Sequence, residues 1–153
     1  MVGATVSADT GAMITAELAT ALQLAGLRWH PQPGDRFAIP QPGLHDQVFT
    51  ISDMVVEAHE YPTGTVLGFN GTTEWALDSV DQEQAVWLPR EDQLRELLGA
   101  TFRRLERTDD GYRVVVTGAE AGVERARTAA SAAEAYGLAL LDLVSRATDV
   151  AQP

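Results

Sequence analysis

TFRRLERTDDGYRVVVTGAEAGVERARTAASAAEAYGLALLDLVSRAT, residues 101–148, decides the fold class. Thr101–Arg107 alternates apolar and charged residues, the pattern of a strand with one buried face. Its anchors Phe102 and Leu105 stand three apart instead of two, which predicts a bulge or a twisted start. TDDG reads as a hairpin turn, Tyr112–Thr117 as the returning strand, GAEAG as a second turn and Val123–Thr128 as a third strand. Ser131 and Glu134 fit the S-x-x-E capping box. The helix behind them carries Tyr136, Ala139, Leu140, Leu143, Val144 and Ala147 on one face. A three-stranded meander closed by an amphipathic helix buries one sheet face, which is the α+β solution. Around the first hairpin, Arg103, Arg104, Arg107 and Arg113 mix with Glu106, Asp109 and Asp110 and read as a solvated strand pair with cross-strand ion pairs.

Immediately upstream, PREDQLRELLG predicts a helix. Pro89 suits the first turn and Glu91 and Asp92 the positive end of the dipole; Leu94, Leu97 and Leu98 form one face, and Gly99 stops it. An N-terminal helix is predicted from Ile14, where Ile14, Leu18, Leu22 and Ala25 recur every fourth residue up to Gly26. HPQPGD then forbids helix. Arg36–Ile39, Val48–Ser52 and Met54–Glu60 read as strands; YPTG reads as a turn and TVLGFN as the return strand. Asn70-Gly71 suits a turn, Thr73–Val80 a short helical or irregular segment, and AVWL a brief apolar run. The expectation is an α+β fold: antiparallel sheet, an N-terminal, a middle and a C-terminal helix, the last packed on the meander. Residues 1–12 are read as a loose tail or start-site extension and 149–153 as a second tail. Residues 13–148 form one domain, divided into an acidic helix and hairpin half, 13–88, and a helix–meander–helix half, 89–148.

The composition narrows the chemistry. The 153 residues contain no Cys, which removes disulfides, thiol catalysis and zinc–thiolate sites. Every basic residue is Arg, so no Schiff-base or P-loop lysine exists. No apolar run approaches the roughly 20 residues that span a bilayer. The first residues lack a basic region followed by an apolar one, and the expected location is the cytoplasm, away from membranes. The net charge is −11, and no cation stands between Arg36 and Arg90. That interval holds Asp46, Asp53, Glu57, Glu60, Glu74, Asp78, Asp81 and Glu83. Such a surface repels nucleic-acid phosphate.

Familiar site motifs are missing or weak. GFNG has neither Walker A nor Rossmann spacing. Asn70-Gly71-Thr72 matches a sequon but serves equally as a turn. Neither a G-x-S-x-G elbow nor an EF-hand loop occurs. Trp29, Trp75 and Trp87 suit anchors of a small core better than a ligand pocket. The best chemical candidates are Glu57 and His59, which share a strand face with Asp53 and have the donors for a divalent ion or a carboxylate-oriented general base.

Residues 13–146 also resemble a family of small actinobacterial proteins. Its members carry S-D-M, a P-T-G turn, F-N-G-T-T-E-W-A-L-D-S and W-L-P-R-E-D-Q-L-R-E-L-L-G in this order, and all four segments are present here. Some relatives bear a pilus-assembly label borrowed from an ATPase of the ParA/MinD type. That label implies a phosphate-cradling Gly/Lys loop, which a chain without Lys does not supply, so ATPase activity is not carried over. The resemblance identifies no catalytic residue.

The first functional expectation is a non-catalytic accessory or interaction module, a homodimer, whose acidic residues meet a protein partner without any cofactor. The second is a small metal-binding protein or hydrolase-like enzyme built on Glu57 and His59 with nearby carboxylates. The third is an acidic DNA mimic.

Overall fold

The computed structural model describes residues 3–4, 13–44, 47–51, 56–61, 64–69, 79–81, 84–118, 120 and 122–151. Only backbone is described for 3–4, 56–61, 64–69, 79–81 and 149–151. In chain order the elements are β1 (Gly3–Ala4), α1 (Ala16–Ala25), β2 (Arg36–Ala38), β3 (Val48–Thr50), β4 (Val56–Tyr61), β5 (Gly64–Phe69), β6 (Ser79–Asp81), β7 (Val86–Leu88), α2 (Glu91–Leu98), β8 (Phe102–Thr108), β9 (Gly111–Thr117), β10 (Glu124–Ala129) and α3 (Ala132–Ala151). Among the described residues all strand pairs are antiparallel, and the class is α+β.

The chain forms two compact units. One comprises Met1–Ala8 and Trp29–Leu88, the other Asp9–Arg28 and Pro89–Pro153. The helix α1 does not follow the acidic half: its packing partner is α3.

The first unit contains two sheets, ordered β1-β3-β2-β7 and β4-β5-β6. Residues 1–12, expected as a loose tail, contribute Gly3–Ala4 as a strand paired with Phe49 and Thr50. Phe37 stands opposite both Phe49 and Trp87 in register, so one cross-strand row is aromatic throughout. Trp29 stacks on Trp87, with ring centroids 6.4 Å apart, and tilts against Phe37 at 5.5 Å. Ile39, Ile51 and Ala85 complete this core, so two of the three tryptophans are core anchors; Trp75 lies outside the described residues. Asp35 is buried there with 1% exposure, and its Oδ2 accepts from Trp29 Nε1 at 2.9 Å and Gln32 N at 3.0 Å. Those bonds satisfy the carboxylate and fix the HPQPGD loop.

The second sheet of this unit holds one element the sequence reading did not find. Ser79 and Val80, expected to end a helical or irregular segment, form with Asp81 a strand on β5, with Val66 opposite Asp81 and Gly68 opposite Ser79. Three residues carry no period of their own; pairing with a distant strand makes them a strand. The turn residues Pro62 and Thr63 lie outside the described residues, as do 70–78.

The second unit is built around α3, which touches α1, α2, β9 and β10. Thr15 caps α1 by accepting from Leu18 N at 3.1 Å. Gly26, at φ +113°, ends it: Gly26 N donates to Gln23 O and Leu27 N to Leu22 O, a Schellman motif. In α2 the Gln93 side chain accepts from Arg90 N at 2.9 Å, and Leu94 and Leu98 are buried. Leu97, expected on the same apolar face, is exposed, as is Ala147 on α3; both stand at the margins of their stripes. The capping box before α3 is half realised. Ser131 Oγ accepts from Glu134 N at 3.1 Å, while the Glu134 carboxylate accepts from Thr15 N and Thr15 Oγ1. Glu134 thus ties the start of α3 to the start of α1. The register of β8 on β9 slips between Phe102 and Arg104, the bulge that the Phe102–Leu105 spacing predicts. Arg104 pairs with Glu106 and Glu124, and Arg113 pairs with Glu106, across the exposed face of the meander.

Candidate binding sites

The acidic candidates separate into two groups. Glu57, His59 and Glu60 lie on β4 and Asp81 lies on β6, the two outer strands of the β4-β5-β6 sheet. Asp46, Asp53, Glu74, Asp78 and Glu83 lie outside the described residues. In the backbone register Glu57 stands opposite Gly68 and His59 opposite Val66, and Val66 is in turn opposite Asp81. One row therefore runs His59–Val66–Asp81, with Glu57 two positions along β4. Two strand spacings separate the ends of that row, about 10 Å. The register brings Asp81 into line with His59, a neighbour that the spacing on one strand does not reveal.

A second constellation lies in the other unit, and the sequence reading did not single it out. A cleft of about 450 Å³ opens between the ends of β9 and β10 and the C-terminal half of α3. Val116, Ala139, Leu143 and Ala147 give it apolar walls, and Arg125, Asp142 and Arg146 line it as charged groups. Strand alternation puts Arg125 and Arg127 on the same side of β10, toward α3. Arg127 takes Asp142 as a two-pronged partner, Nε to Oδ2 at 2.6 Å and Nη2 to Oδ1 at 2.7 Å. This pairing is the main reason the Asp142 carboxyl titrates below its ordinary range; partial burial opposes it, and Arg146 and Arg125 add to it from further away. Both Asp142 oxygens are engaged by Arg127, and Arg125 and Arg146 have neither an ion pair nor a hydrogen bond among the described residues.

Gly118 makes room for one of these cations. A Cβ at position 118 would stand 3.2 Å from Arg125 Nε and 3.3 Å from Val123 O, so the absence of a side chain lets Arg125 lie over the β9–β10 connection. The signal in the sequence was the pair Arg125-x-Arg127 together with Asp142 and Arg146 at i, i+4. Its meaning depends on α3 crossing β10, which no local pattern states. Among the described residues, no helix is long and apolar enough to cross a membrane. No family model matches the chain, and no curated protein or solved structure is significantly similar to it.

Proposed function

We propose that the chain is a non-catalytic interaction module whose acidic first unit docks a basic protein partner. The observation that carries this reading is the placement of Glu57, Glu60 and Asp81 on both outer strands of one small sheet, inside a stretch of chain without a cation from Arg36 to Arg90. Charge on outer strands discourages strand addition, so the partner is recognised by field and side chains instead of by extending the sheet. Membership of the actinobacterial family and a homodimeric state belong to the same proposal.

The test is a triple reversal, Glu57→Arg/Glu60→Arg/Asp81→Arg. Wild type and variant are used to capture proteins from the native host at low and high salt. Partners retained by wild type, released by salt and lost by the variant support the reading; identical retention by both refutes it.

A second reading rests on the His59–Val66–Asp81 row, which adds a carboxylate to the Glu57 and His59 pair for metal binding. Calorimetric titration with Zn²⁺ and Mn²⁺, repeated on His59→Ala, decides it. A stoichiometric heat lost in the variant favours the metal; no heat removes it. Competition with duplex DNA for the captured partner identifies the DNA mimic.

A further inference from the structure

The cleft in the second unit has a charge opposite to that of the chain as a whole. The protein carries a net charge of −11, yet this cleft is lined by Arg125 and Arg146, with Arg127 at its side, against the single carboxylate of Asp142. That carboxylate has both oxygens committed to Arg127, which leaves two guanidinium groups lining the cleft with no direct ion pair or hydrogen bond among the described residues, only a more distant attraction to Asp142. The walls behind them are aliphatic, from Val116, Leu143 and Ala147, and the volume of about 450 Å³ is that of a small-molecule pocket.

We infer that this cleft binds a small amphipathic carboxylate, its acid group on Arg125 and Arg146 and its hydrocarbon body along Val116, Leu143 and Ala147. Each half of the site selects against other ligands. A cation meets guanidinium groups and a carboxylate whose oxygens are taken. A compact polyanion such as phosphate satisfies the arginines but leaves the aliphatic wall in water. A neutral alkyl ligand covers the wall and leaves both arginines unpaired. Only a ligand with one anionic end and an apolar body answers both, and the planar fork of guanidinium matches a carboxylate. The inference is independent of the acidic unit: it uses no residue between Trp29 and Leu88.

The experiment follows backbone amide shifts of the full ¹⁵N-labelled chain on titration with sodium octanoate, 1-octanol, octyltrimethylammonium and inorganic phosphate. The expected result is saturable shifts at Thr117, Gly118 and Ala147 with octanoate, affinity for octanol lower by about tenfold or more, and no saturable effect of the cation or of phosphate. In Arg125→Gln/Arg146→Gln the octanoate affinity falls to that of octanol, while octanol binds as before. Ala147 is exposed on its helix, so Ala147→Trp fills the cleft without disturbing the core and abolishes binding of both. Equal affinity for octanoate and octanol, an unchanged preference in the double variant, phosphate binding as tightly as octanoate, or no saturable shift at these amides overturns the inference. So does a dimer, seen by sedimentation, that buries Ala147 and excludes the ligand.

Discussion

Replacing Gly137 with Ala sets two effects of similar size against each other. Glycine in the middle of a helix is worse than alanine by about 1 kcal/mol, so the substitution should stabilise an isolated α3. In the folded protein the added Cβ stands 2.6 Å from Leu18 Cδ2 on α1 and 3.1 Å from Cγ2 of Ile14, just before that helix. Carbon contacts normally rest near 3.5–4.0 Å. Ile14 and Leu18 are 4% and 6% exposed, so neither moves into open space. Overpacking of this kind costs about 1–3 kcal/mol, and the net expectation is a loss of about 1 kcal/mol. Leu18→Ala removes the nearest methyl and by itself costs about 2–4 kcal/mol. In that background Gly137→Ala should become stabilising by up to about 1 kcal/mol, a coupling of about 2 kcal/mol. Urea unfolding read by far-UV circular dichroism is the assay, because α1, α2 and α3 all belong to the second unit whereas Trp29 and Trp87 belong to the first. If Gly137→Ala stabilises the wild-type background by its full helix propensity, or if the two changes are additive, close α1–α3 packing is not what excludes a side chain at 137.

Three further outcomes are expected. Asp35→Ala leaves the Trp29 indole N–H buried without its acceptor and should lower stability by about 2–4 kcal/mol, read from tryptophan fluorescence during urea unfolding; Asp35→Asn, which keeps an acceptor, should lose less. Gly26 sits at φ +113° with its nearest non-local atom 3.7 Å away, so Gly26→Ala suffers from backbone strain without a clash and should cost about 1 kcal/mol, seen in the melting of the helical signal. The carboxyl groups of Asp142, Glu106 and Glu124 are held low, the first chiefly by Arg127 and the other two by Arg104. A lowered carboxyl in the folded state adds stability above the ordinary carboxylate range, and that stability is lost as pH falls through the lowered value. Arg127→Gln should therefore be less stable than wild type at neutral pH and approach it under acid, and parallel urea titrations across that range check the convergence.

Much of the second unit was legible because its signals are local. The strand-like runs of β8 and β9, the three-residue step from Phe102 to Leu105, and Gly26 as a stop each report on a few neighbouring residues. The alternation read for Thr101–Arg107 does not hold as a buried face: Leu105, expected as an anchor, is exposed, because the bulge after Phe102 shifts the register. The partner of α1 was not legible. Its placement on α3 depends on Gly137, an unremarkable residue until Leu18 is known to press against it. Glu134 shows the same limit. The sequence reads it as closing a capping box on its own helix, and tertiary structure redirects its carboxylate to Thr15. Ser79–Asp81 is a strand because β5 lies beside it. The arginine cleft escaped notice since Arg125 and Arg127 serve as ordinary strand residues until Asp142 and Arg146 arrive from α3.

Thr15 meets Glu134 across 119 positions of chain, and Ala25 meets Thr148 across 123. During synthesis, α1 leaves the ribosome well before the helix that covers it. At about 5–20 residues per second the wait is roughly 6 to 25 s. A ten-residue helix has little stability alone, so Leu18 and Leu22 spend that interval bare while the whole of 29–88 is made. A helix translated well before its partner is then late to dock, and the nascent chain needs either rapid completion or a holding chaperone to protect it.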